Sequence, residues 1–113
     1  MTTFRNKKNV SEIHRIEMLR LAEETLKDLP SNVTLDCWTS SLVMVKVNNF
    51  PTFRLLIDHK IGKSPVVTIR KDVQFLTAED ESIKKILVKQ KKLYSEKVIP
   101  EYLRMSEEIE NIK

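Results

Sequence analysis

The sequence predicts an α+β fold: an N-terminal helix, a four-stranded antiparallel meander, and a C-terminal helix kinked or broken near Pro100. Three observations carry that prediction. Apolar residues recur every three or four positions before Pro30, alternate with period two between Val33 and Arg70, and return to helical spacing after Thr77. Residues that tolerate reversal of the chain sit between the alternating runs. The connections between those runs are short, which makes consecutive strands antiparallel neighbours.

Ile13, Ile16, Leu19, Ala22, Leu26 and Leu29 share one face of a helix predicted over residues 11–29, capped by Ser11 or Asn9 and stopped by Pro30. The polar residues 1–9 ahead of it are expected to form a mobile lead. Val33, Leu35 and Cys37 then alternate with Thr34, Asp36 and Trp38. A second strand carries Val43, Val45 and Val47 on one side and Leu42, Met44 and Lys46 on the other. Asn48-Asn49 follows, and asparagine adopts the left-handed backbone of a tight hairpin more readily than most residues. The third strand runs from Thr52 to Asp58, with Phe53, Leu55 and Ile57 on one face. Pro51 stands at its start, where a missing N–H does least harm. Residues 59–64 hold Gly62 and form a turn, and Val66 to Arg70 supply the fourth strand. Thr77 caps the last element, with acids in its first turn. Pro100 cannot donate a helical hydrogen bond and biases Ile99 away from helix, so a break or sharp bend is expected there.

The 113 residues fit a single α+β domain spanning 1–113. One cysteine cannot form an internal bridge, which favours a reducing, cytoplasmic setting. No apolar run approaches the ~18 residues of a membrane span, so no membrane association is expected. A single glycine excludes the phosphate-wrapping loops of nucleotide-binding enzymes, which need several positive-φ positions and close backbone approach. The 14 lysines against 6 arginines fit a low-GC genome, including a phage or mobile element.

Three constellations compete for function. The first is chemical: His14, Cys37, Asp58 and His59. Neither histidine has the spacing of a metal pair, and Cys37 lies on the inward side of its strand, where it behaves as a small hydrophobe. Asp58 and His59 are adjacent in an extended segment and point to opposite faces. No catalytic residue, metal or cofactor is therefore expected. The second is the sheet side opposite the valine and phenylalanine face. Trp38, Met44, Arg54 and Leu56 fall there together, more apolar than a water-facing surface requires. Either the helices divide between the two faces and Trp38 is core, or this face is an apolar patch rimmed by arginine that meets a partner protein or a second copy of the chain.

The third constellation is basic. Lys84, Lys85, Lys89, Lys91, Lys92 and Lys97 against Glu96 give residues 84–97 a charge of +5, while the whole chain is +4. Such a stretch is either a solvated helix face, with Glu81 supporting Lys85, or a surface for nucleic acid or nucleoprotein. Tyr94 is the one aromatic residue inside it, a thin basis for base stacking. The favoured expectation is a non-enzymatic protein-binding module, acting as an adaptor, regulator or inhibitor of a larger macromolecular complex. Nucleic-acid binding through the lysines is the alternative.

Overall fold

The computed structural model describes residues 6–112 of the chain. Within them the order is α1 (Lys7–Thr25), β1 (Val33–Thr39), β2 (Leu42–Val47), β3 (Phe50–Asp58), β4 (Val66–Lys71) and α2 (Ala78–Glu110). The strands form one antiparallel sheet in the order β1-β2-β3-β4, the meander that the short connections dictate. Asn48 and Asn49 both take positive φ, 52° and 65°, which makes the β2–β3 turn the two-residue hairpin the sequence implies. Gly62 likewise adopts φ 76° in the β3–β4 turn.

Both helices pack on the same face of the sheet. Val43, Val45, Val47, Phe53, Leu55, Ile57 and Val67 form one core cluster with Met18, Ala22 and Leu26 of the α1 side and Ile83, Leu87, Tyr94, Val98 and Met105 of α2. Leu42, Met44 and Leu56 alternate to the other face and do not belong to that cluster. The arrangement that divides the helices between the two faces is therefore excluded.

Helix α1 departs from the expected frame. It is capped by Asn6, whose side-chain oxygen accepts from the Asn9 N–H at 2.8 Å, rather than by Ser11 or Asn9. Residues 7–9 are thus helical and not part of a lead, while residues 1–5 of that lead lie outside the described residues. The helix ends at Thr25, ahead of Asp28, which takes a φ of 63°. Its buried face is Val10, His14, Met18, Ala22 and Thr25, and Ile13 and Ile16 point to solvent at 54% and 56% exposure. The sequence offers two apolar stripes along this helix. The one that packs is chosen by what lies opposite, including Glu108 of α2.

Helix α2 begins as expected. Thr77 accepts from the Asp80 N–H at 3.0 Å, and Asp80 accepts from the Thr77 N–H at 3.1 Å, a reciprocal cap. It is not broken at Pro100: one helix runs from Ala78 to Glu110 with the proline inside it. Proline in a helix interior costs about 3 kcal/mol, and the buried anchors on either side, Val98 and Met105, hold the segment helical against that cost. Among the described residues no helix is long and apolar enough to cross a membrane.

Candidate functional site

The chemical residues are spread over α1, β1 and the end of β3. His14 is buried on the packed face of α1, and its Nε2 is 3.0 Å from Oε1 of Glu108. Glu108 in turn approaches Arg104 at 3.6 Å, and Arg104 also reaches Glu101 at 2.7 Å and Glu17 at 3.2 Å. The acidic end of α2 therefore ties the two helices together. His59 sits at the far end of β3 with its Nδ1 3.3 Å from the Tyr102 hydroxyl, the two rings meeting edge to face. Cys37 is buried, and its thiol donates to the Thr39 carbonyl at 2.8 Å. Burial pushes that thiol up to about 11, so the nucleophilic thiolate is disfavoured. Each group is occupied by a different neighbour. Among the described residues no set of three His, Cys, Asp or Glu side chains could hold a metal.

The open sheet face carries the second constellation. Trp38 is 52% exposed. It occupies the bulge that shifts the β1–β2 register between Cys37 and Thr39, and a bulge reorients the side chain it carries. Leu42 and Leu56 are paired across β2 and β3 and half-buried, and Val66 at the start of β4 is 52% exposed. Arg54 is exposed and directed by Asp72, which accepts from both Nε and Nη2 at 2.6 Å; this contact holds the guanidinium pKa above its ordinary value. Met44 differs from its companions: although on this face, it is 1% exposed. Its cross-strand partners are Asp36 and Arg54. Long neighbouring side chains on a pleated surface can cover an unbranched residue between them. Met44 is thus buried and offers no surface to a partner. Sequence alternation assigns its face but gives no measure of this cover.

The basic stretch lies along the first half of α2. Lys84, Lys85, Lys89, Lys91, Lys92 and Lys97 are all exposed, and none is ion-paired with another described residue, including Glu81 beside Lys85. Tyr94, the aromatic residue within this run, is buried, and burial pushes its hydroxyl above the ordinary phenol range. It cannot stack on a base. Exposed apolar residues on the same stretch are Val88 and Leu93. Comparison with known protein families, with curated proteins and with solved structures finds no match to this chain.

Proposed function

We propose that this chain is a non-enzymatic protein-binding module that meets its partner through the open sheet face and acts as an adaptor, regulator or inhibitor of a larger complex. The observation that carries the reading is a half-exposed Trp38 at the β1 bulge, on the sheet whose other face carries both helices and whose uncovered face holds half-buried Leu42 and Leu56 and an arginine held in place by Asp72. Tryptophan and arginine contribute disproportionately at interfaces, because one offers a large rigid apolar surface and the other a planar fork of donors. An arginine already oriented by a carboxylate loses less freedom on binding. His14, Cys37 and His59 each hydrogen-bond a different neighbour, which supports the non-enzymatic part of the reading.

The test is affinity capture from the native host lysate after nuclease treatment, comparing the wild-type chain with Trp38→Ala and Arg54→Glu. The reading expects a partner retained by wild type and lost by either variant. A partner held equally by all three chains, or recovered only without nuclease, contradicts it. The second outcome would move the function to the lysines of α2.

A further inference from the structure

We infer that the free edge of β4 and the lysine-lined flank of α2 form a docking groove for an extended, acidic segment of a partner protein, which adds to the sheet as a fifth strand. This groove is a second surface, which meets the open face only at Val66 and is argued independently of Trp38 and Arg54.

The hydrogen-bond parity of the sheet shows that the edge is available. The Asp72 N–H donates to the Thr52 carbonyl at 2.8 Å, in line with the β3–β4 register that pairs Arg54 with Arg70 and Leu56 with Thr68. In an antiparallel ladder, bonded pairs alternate along the strands. Val66, Thr68 and Arg70 therefore bond inward to β3, while the N–H and C=O groups of Val67, Ile69 and Lys71 point away from it. No strand lies beyond β4, and no described residue is hydrogen-bonded to those outward groups. The opposite edge is treated differently. On β1 the Cys37 carbonyl accepts from Arg15 Nη1 at 2.9 Å, the bulge at Trp38 interrupts the strand, and Leu35 packs against the core that α1 completes. Bulges and covering elements of this kind block strand addition.

Helix α2 runs back alongside β4 and leaves a groove of ≈ 550 Å³, with Pro65, Val66 and Val67 on one wall and Val88, Lys91 and Lys92 on the other. A smaller depression lined by Lys84, Lys85 and Lys89 shares Val88 and continues it toward the helix N-terminus, so Val88 is an apolar contact between two groups of lysines. Glu81 and Glu96 stand at the two ends. A strand added to β4 would satisfy the outward backbone groups, turn its apolar side chains toward Val66 on the open side of the sheet, and bring its acidic side chains to Lys84, Lys91 and Lys92 on the helix side. Charge decides between occupants. A second copy pairing edge to edge would set these lysines against their own counterparts. A nucleic acid has no use for a row of alternating amide donors and acceptors, and it finds no exposed aromatic residue among the lysines.

The experiment uses the full chain and a fluorescent peptide of alternating Val and Glu at low salt, read by anisotropy. Its comparators are the Val–Lys peptide, the Val–Glu peptide N-methylated at every residue, and a single-stranded oligonucleotide of equal charge. The acidic peptide is expected to bind, and to lose affinity about tenfold when Lys91→Glu and Lys92→Glu are combined at these exposed positions. The N-methylated peptide keeps the charge but not the donors, and is expected not to bind. Trp38→Ala leaves this binding intact, which separates the groove from the open face. The inference is overturned by no binding at about 1 mM peptide, by equal binding of the N-methylated peptide, by unchanged affinity of the double variant, or by tighter binding of the oligonucleotide. Sedimentation of a dimer that the acidic peptide does not dissociate also overturns it.

Discussion

The two faces of the sheet arise from the same alternation yet have opposite fates. On the covered face Val43, Val45, Phe53 and Leu55 are each at most 1% exposed, locked between β-strands and two helices. On the open face Trp38 and Val66 remain 52% exposed, while Met44 is buried without any helix above it. Period-two patterning makes a sheet two-sided; the helices decide which side becomes core. The uncovered side then keeps apolar residues that the fold itself does not require to be buried.

That contrast can be broken by truncation on either side. Phe53→Ala removes a fully buried aromatic residue from the covered face and should cost about 3–5 kcal/mol of stability in urea melts. A loss below about 1 kcal/mol would mean that the helices do not close over β3. Met44→Ala should cost about 2–4 kcal/mol despite lying on the open face, because the cavity it leaves cannot be filled by its charged neighbours. A negligible cost would show that its cover is loose and would return it to the contact surface.

Alkaline pH sharpens the contrast through Cys37, which belongs to the covered face. Burial raises its pKa from 9.0 to about 11, so between these values the unfolded thiol loses its proton while the folded one keeps it. The folded state then binds more protons than the unfolded state, and stability falls as pH rises from 9 to 11, by at most about 1.4 kcal/mol per pH unit for one group. Tyr94 is shifted in the same direction and extends the decline upward. Cys37→Ala should flatten the slope in that window relative to wild type, and an unchanged slope would assign the effect to other groups. The smallest effect belongs to the open face. Trp38→Ala should change stability by no more than about 0.5 kcal/mol, as for most surface substitutions, while removing partner binding.

Local chemistry made much of this fold legible. Alternation along β2 and β3, the Asn48-Asn49 hairpin and the Thr77 cap each depend on a few consecutive residues, and each stands in the structure as read. The departures all depend on distant partners. The face of α1 is set by Val10, His14 and Met18 rather than Ile13 and Ile16, because His14 meets Glu108, a residue 94 positions away. Pro100 sits within an unbroken helix because the packing of Val98 and Met105 outweighs a local penalty that is plain in the sequence. The candidate surface was legible as a set of residues on one strand face. Its exposure was not: Trp38 sits at a bulge and is half-exposed while Met44 is buried, and neither follows from alternation. The groove beside β4 was legible only as its lysines, since the strand edge they flank is a product of topology.

Trp38 is the single tryptophan of the chain, so its fluorescence reports the open face without a label. The most direct measurement is its emission spectrum as the purified protein is titrated with the partner recovered by capture. The account predicts a long-wavelength, quencher-accessible emission in the free protein that shifts to shorter wavelength and becomes protected as the complex forms. Saturable binding with unchanged emission and unchanged quenching would contradict it, because the partner would then sit elsewhere on the molecule.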